Sequence, residues 1–525
     1  MTVRPAGVSA ADFSAALQQF SAAIGRQWVF TAPEDLDLYR DAYSAERGEP
    51  GERLAAAALA PDTTEQVQAI VRIANRFRIP LYPISTGRNL GYGGSAPVLS
   101  GSVVLDLKRM NRIIEVNEKR HYCIVEPGVS FFDLYRHLQA RGVRLQASLP
   151  APGWGSPIGN ALDHGFGLPA RDNFRNHCGL EVVLPNGELM RTGMGALSNP
   201  KSWATYHYGY GPFIDGIFSQ SNFGVITKMG FNLFREPQAI RRIVISSQKY
   251  DDLDAIVDLA EYLEDLGLSP GGVDVLSPVM GARDDDEVRR LIRAEASSQQ
   301  WERLAQDRGR PVWSAMVAAR GLAKVCDAQM EAAADLARSR VPGVTVTAGP
   351  AWDGPLDPAK TPEAQRQQFG IPSLAGFAAL PAAGWSGHIY FSPIIPQTGD
   401  DLRAANRVFQ KALDPMGLYW GWQPAFAIYP KNITMLYALP SGGEAAEDKR
   451  SREAVYRLVQ VSAENGWSEY RTGPAFYDAV MDTFSFNDHA LRRFLETLKD
   501  AIDPAGIMSA GRYGIWPAHL RKRPG

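Results

Sequence analysis

Apolar and polar positions follow two rhythms along the first half of the chain. Asp62-Thr63-Thr64-Glu65 precedes Val67, Ile70, Val71, Ala74 and Phe77. That i, i+3, i+4 spacing predicts a capped amphipathic helix, ended by Pro80. Leu81-Tyr-Pro-Ile-Ser, Ser102-Val-Val-Leu-Asp-Leu and Tyr122-Cys-Ile-Val-Glu are short β-rich runs between turn residues. Asn186-Gly187 separates two strand-like arms that start at Leu180 and end at Arg191, which predicts a hairpin.

After Arg235-Glu-Pro237 the texture changes. Arg242-Ile-Val-Ile-Ser reads as a strand, Asp251 to Leu266 as a helix, and Ala- and Arg-rich helical stretches run to about Arg340. Residues Pro350 to Pro381 read as loop, Gly387-His-Ile-Tyr-Phe-Ser as a strand, and a last helix from about Ala490 leads into a turn-rich tail ending at Trp516. The fold class expected is α+β. A chain of 525 residues exceeds what one core organises, since domains close at roughly 100 to 250 residues. The expected division is 1–238, 239–490, and a tail of 491–525 that returns to the first domain.

Charge narrows the partners. With 55 basic and 57 acidic side chains the net charge is -2, so no broad field draws nucleic acid or an anionic membrane, and a small, fairly neutral substrate fits better. Met1-Thr-Val-Arg-Pro-Ala-Gly lacks an apolar run behind its charge, and no stretch reaches the roughly 20 apolar residues of a membrane span; a cytoplasmic protein is expected. Cys123, Cys178 and Cys326 are odd in number and widely spaced, which suits buried thiols rather than disulfides. The eight histidines show no ligand spacing, so no metal is expected.

The densest chemical signal is Pro83-Ile-Ser-Thr-Gly-Arg-Asn-Leu-Gly-Tyr-Gly-Gly94. Missing Cβ atoms let a main chain approach a pyrophosphate, and successive N–H groups form an anion-binding concavity. Ser85, Thr86, Gly87, Arg88, Asn89, Gly91, Gly93 and Gly94 are therefore candidate cofactor contacts. The loop is neither GxGxxG nor a P-loop, and taken alone it also reads as a tight glycine turn. Residues 157–165, with Gly159 and Asn160, and 208–227, with Gly224 and Ile226, share its glycine and small-polar character. Three such loops suggest one extended dinucleotide rather than a mononucleotide.

Residues 83–94, 157–165, 179–197 and 218–230, together with Gly387-His-Ile-Tyr-Phe-Ser-Pro, Glu469-Tyr-Arg-Thr and Ala510-Gly-Arg-Tyr-Gly-Ile-Trp, resemble the vanillyl-alcohol oxidase and p-cresol methylhydroxylase family, especially its eugenol-oxidase-like members. The resemblance covers most of the chain and is weakest in the middle of the second region. It implies an FAD-binding domain of two α/β subdomains with an α+β cap over the flavin. It also implies oxidation of para-substituted phenols by hydride transfer from the carbon alpha to the ring, through a p-quinone methide.

Residue by residue, His388 matches the position that attaches the flavin 8α-methyl covalently, although a histidine in a strand is ordinarily a core residue. Tyr92, Tyr470 and Arg471 match the phenol-binding trio, whose hydroxyls and guanidinium stabilise a phenolate. Arg512 matches a basic residue beside the flavin. One departure stands out. The family frame Pro-Asp-Pro-Gly-Trp-Gly-Ser reads Pro150-Ala151-Pro-Gly-Trp-Gly-Ser156 here, so the base that activates water at the quinone methide is absent. The next stretch brings in Arg171 and Arg175. Oxidative decarboxylation of a 4-hydroxyphenylalkanoic acid, its carboxylate held by one of these arginines, is the expected consequence. Asp163, Asp172 or a cap carboxylate standing in for the base would instead keep alcohol or alkylphenol oxidation. A flavin-binding protein without activity is the rival from another class. The resemblance leaves open O2 or a cytochrome as electron acceptor, and implies a homo-oligomer.

Overall fold

A computed structural model describes residues 3–44, 46–269, 272–281, 285–377, 385–420, 425–426 and 431–521. Thr63 caps the helix Thr64–Phe77 by accepting a hydrogen bond from the Gln66 N–H, and Val67, Ile70, Val71 and Ala74 are buried along one face. The helix stops before the proline. Arg78 takes a left-handed conformation, and its N–H donates to the carbonyls of Ala74 and Asn75.

The helix packs on a four-stranded sheet in the order Val29–Phe30, Ala57–Leu59, Val103–Asp106, Leu81–Ile84. The last three strands are parallel. The glycine-dense loop leaves the carboxyl end of Leu81–Ile84, the side on which parallel α/β sheets bind ligands. A second, antiparallel sheet runs Leu189–Arg191, His177–Val183, Val225–Asn232, Tyr122–Val125, Ile113–Asn117. Its first two strands form the hairpin expected at Asn186-Gly187. Gly187 has φ +81°, its N–H donates to the Leu184 carbonyl, and the Leu184 N–H donates to that of Glu188.

The second region is built on a large sheet whose strands include Thr345–Ala348, Ala239–Ser247, Trp313–Gly321 and Val273–Leu276 in neighbouring order. Strand periodicity divides its side chains. Ile243, Ile245, Ala315, Val317, Val273 and Val275 turn to the core that the helices Leu253–Asp265 and Ala323–Arg340 cover. Ile240, Arg242, Asp274, Met316, Ala318 and Arg320 turn the other way, into a cavity. Within the expected loop 350–381, Trp352–Asp353 forms a short strand and Glu363–Phe369 a helical turn; residues 378–381 lie outside the described residues. A two-residue strand is too short to leave a periodic signal.

The tail crosses back to the first sheet. The Leu81 N–H donates to the Ile507 carbonyl and the Ser509 N–H to that of Leu81. Lys499, fully buried at the end of the helix Phe486–Ile502, donates to the carbonyls of Asn222 and Met508 and pairs with Asp503 at 2.8 Å. Mixed helices and sheets match the α+β class. Among the described residues no helix is long and apolar enough to cross a membrane.

Candidate active site

A cavity of about 570 Å³ lies between the glycine-dense loop and the large sheet. Ser85, Thr86, Gly87, Arg88, Asn89, Gly93 and Gly94 line it from that loop, Gly159 and Asn160 from the second, and Gly224 and Ile226 from the third. The three loops that the sequence singles out thus meet at one space. Backbone is exposed there for steric reasons. Gly93 has φ +114°, and a Cβ on it would lie 2.7 Å from Pro474 Cδ; such a turn excludes other residues. These glycine, hydroxyl and amide surfaces suit a dinucleotide's phosphates and ring edges.

Gly91 is not part of the wall but stands behind it. A Cβ there would lie 2.7 Å from His388 Nε2 and 2.6 Å from the Tyr390 ring. The Tyr390 N–H donates to the Gly91 carbonyl, so the loop is tied to the strand Gly387–Phe391. His388 is fully buried, with the Tyr390 ring 4.3 Å and the Tyr43 ring 4.9 Å away. Burial pushes its imidazole down to about 4, so the ring is neutral at ordinary pH. Tyr390 itself lines the cavity.

Tyr92, Tyr470 and Arg471 come together on the cavity wall. Strand pairing explains how. Ser468–Glu469 pairs with Pro393–Pro396, which sets Tyr470 beside Ser392, and the Tyr470 N–H donates to the Ser392 carbonyl. The Ser392 hydroxyl is 2.6 Å from that of Tyr92. The Arg471 guanidinium lies 4.1 Å from the Tyr92 ring centre and 5.1 Å from that of Tyr470. Burial pushes the Tyr92 hydroxyl well above the ordinary phenol range, so it remains a neutral donor. Beneath them Glu469 accepts from the Ser392 N–H, and burial pushes its carboxyl up to about 8. Glu469 had no role in the sequence, where it is only the residue before Tyr470.

Asp163 joins three segments. Its Oδ1 accepts from Arg512 at 2.8 Å and from the Tyr513 hydroxyl at 2.9 Å, and its Oδ2 accepts from Asn89 at 2.7 Å. Arg512 also donates to the Tyr82 hydroxyl at 3.3 Å, and lines the cavity. With three donors on its two oxygens, Asp163 ties the glycine-dense loop to the tail.

Ala151 lines the cavity and brings no titratable group. The two arginines expected to hold a carboxylate are elsewhere. Arg171 is buried and pairs with Glu264 at 3.4 Å, Arg175 is exposed, and neither lines the cavity. Asp172 accepts the N–H groups of Phe174 and Arg175, closing its own turn. The displacement has a local cause: the short strand Arg171–Asp172 pairs with Phe166–Gly167 and directs Arg171 toward the second region. Two further arginines that face the cavity, Arg242 and Arg320, were not singled out as site residues in the sequence. Both fall on the phase of their strand opposite the core residues Ile243, Ile245, Ala315 and Val317. Among the described residues no group of three or more His, Cys, Asp or Glu could hold a metal.

Comparison with known proteins gives this geometry a context. Residues 55–193 match the FAD binding domain family. The flavoprotein subunit of 4-cresol dehydrogenase [hydroxylating] from Pseudomonas putida is 31% identical over 98% of both chains. The 1'-carboxy-chondrochloren decarboxylase of Chondromyces crocatus is 37% identical over 41% of this chain and 40% of its own. A solved 4-ethylphenol oxidase from Gulosibacter chungangensis, in an isoeugenol complex, superposes with TM-score 0.85 at 31% identity, covering 99% of this chain and 100% of that one. A substrate-bound p-cresol methylhydroxylase superposes with TM-score 0.85 at 29% identity, covering 98% and 99%. The chain belongs to the family of flavin-dependent phenol oxidoreductases that includes 4-cresol dehydrogenase, and has that family's FAD-binding fold.

Proposed function

We propose that this protein oxidises para-substituted phenols with FAD, and that its preferred substrates are 4-hydroxyphenylalkanoic acids, decarboxylated to vinylphenols. The observation that carries the phenol reading is the convergence of Tyr92, Tyr470 and Arg471 on one cavity wall. Two hydroxyl donors and a permanent cation stabilise a phenolate oxygen by charge-assisted hydrogen bonds, and an ionised phenol releases a para-benzylic hydride more readily. FAD, held by the glycine-dense loop, residues 159–160, 224–226 and Arg512, supplies the two-electron acceptor when bound. His388 is its covalent anchor in this reading. Its neutral imidazole retains the lone pair such a bond needs, and Gly91 keeps the loop close to it.

The decarboxylase reading is supported by Ala151 and by the decarboxylase relative. On the substrate side, loss of hydride leaves a p-quinone methide. Breaking the bond from the adjacent carbon to its carboxylate releases CO2, forms the alkene with that electron pair, and restores the phenolate. Ala151 offers no proton acceptor for the competing addition of water. The electron acceptor is O2 or a cytochrome.

Anaerobic mixing of the holoenzyme with para-alkyl phenols, 4-hydroxyphenylalkanoic acids and their O-methyl ethers tests this. Flavin bleaching is expected with the free phenols and not with the ethers, and vinylphenol is expected from the acids. Bleaching indifferent to the hydroxyl would remove the phenol reading; hydroxylated acids as the products would remove the decarboxylase one.

A further inference from the structure

Five arginines line the cavity: Arg88, Arg242, Arg320, Arg471 and Arg512. Three have a place in the site already described. Arg88 belongs to the glycine-dense loop, Arg471 to the tyrosine cluster, and Arg512 is paired with Asp163. Arg242 and Arg320 remain, and they are neighbours. The strands Ala239–Ser247 and Trp313–Gly321 pair antiparallel with Ile240 opposite Arg320 and Arg242 opposite Ala318. The two arginines therefore occupy diagonal positions on one face, about 7 to 8 Å apart at the backbone.

Neither side chain has an ion-pair or hydrogen-bond partner among the described residues, and the Arg320 Nη2 is buried without an acceptor. Arg242 is 7% exposed, with its guanidinium 5.1 Å from the Phe369 ring centre, a contact that orients it without neutralising it. Burial and the nearby Arg242 push Arg320 down to about 10. Placing two like charges together in a largely desolvated wall is unfavourable unless an anion enters. The cavity's carboxylates do not fill that role. Asp163 is engaged by Arg512, and Asp274, on the next strand, makes no ion pair within 4.0 Å with either arginine. Burial raises the Asp274 carboxyl while Arg171 and Arg242 draw it down, so it acts on Arg242 only at a distance and leaves both guanidiniums without a direct acceptor.

We infer that Arg242 and Arg320 form the anion-binding end of the substrate cavity and receive the side-chain carboxylate of an arylalkanoic acid whose phenol end meets Tyr92, Tyr470 and Arg471. This rests on the phenol-oxidising reading above and assigns its substrate class to particular residues. Two guanidiniums give a carboxylate up to four N–H donors in planar forks, a match that a single lysine would not provide. The acid is thereby oriented with its carboxylate away from the phenolate end. Arg171 and Arg175 need have no contact with substrate.

The test compares 3-(4-hydroxyphenyl)propanoate, its uncharged amide and 4-ethylphenol in the holoenzyme and in the variants Arg242→Met and Arg320→Met. Wild type is expected to favour the acid over the amide by about tenfold or more in kcat/KM, and each variant to raise KM for the acid by about tenfold while changing 4-ethylphenol by less than about threefold. Equal use of acid and amide by wild type overturns the inference without any variant. So do variants that lose 4-ethylphenol and the acid alike, or lose neither. If wild type oxidises 4-ethylphenol but ignores the carboxylate, only the arginine site falls. If it oxidises no 4-hydroxylated arene, the parent reading falls first.

Discussion

The Arg471 guanidinium lies over the face of Tyr92, 4.1 Å from the ring centre, although the two residues come from opposite ends of the chain. Arg471, Tyr92 and Tyr470 all line the same cavity. Replacing Tyr92 or Tyr470 by Phe, or Arg471 by Lys, is each expected to lower kcat/KM for a para-alkyl phenol by about 10- to 100-fold, the worth of one charge-assisted hydrogen bond. Lysine should not rescue Arg471, because a point charge cannot replace a planar fork resting on a ring. Absorbance of a bound 4-hydroxyarene below its solution pKa reports the cause directly. The wild type should hold the ionised form and the variants should not; undiminished phenolate absorption in all three would refute this role.

His388 and Tyr390 flank Gly91, one buried behind the cavity wall and one within it. Acid precipitation of the holoenzyme should leave flavin on the polypeptide. His388→Ala should release it, and Tyr390→Phe should not. Flavin retained by His388→Ala, with the adduct mapped to Tyr390, would move the anchor to the tyrosine.

Burial holds the His388 imidazole at about 4 against an ordinary 6.5. Between those values the unfolded chain binds a proton that the folded chain does not, so stability falls as pH drops through this window and is fully present above it. From pH 7 to pH 5 the flavin-free protein should lose roughly 2 kcal/mol more than its His388→Gln variant, at 1.36 kcal/mol per pKa unit. Urea unfolding at the two pH values measures it. Identical losses in both proteins would show that His388 does not carry this dependence.

Asp163 holds Arg512, Tyr513 and Asn89 with its two oxygens. Asp163→Asn leaves Arg512 without its carboxylate in a largely buried place, and is expected to cost about 3 kcal/mol and to weaken flavin retention. The ratio of alkene to alcohol products should not change. A shift in that ratio at unchanged thermal stability would instead make Asp163 the base that Ala151 is not.

Local signals were legible in the sequence because they depend on neighbours a few residues away. The capped helix Thr64–Phe77, the hairpin at Gly187 and the glycine-dense loop follow from spacing, turn chemistry and the absence of a Cβ. Similarity across the chain implied that Tyr92, Tyr470 and Arg471 meet at one phenol, and all three line the cavity. What only the tertiary structure decided was pairing across long separations. Arg171 looked available for a carboxylate but is taken by Glu264, and Asp163 looked like a spare base but is occupied by Arg512. Arg242 and Arg320 became neighbours solely through the register that sets Ile240 against Arg320. A charged side chain's role depends on who shares its desolvated surroundings, and that is a property of packing rather than of order along the chain.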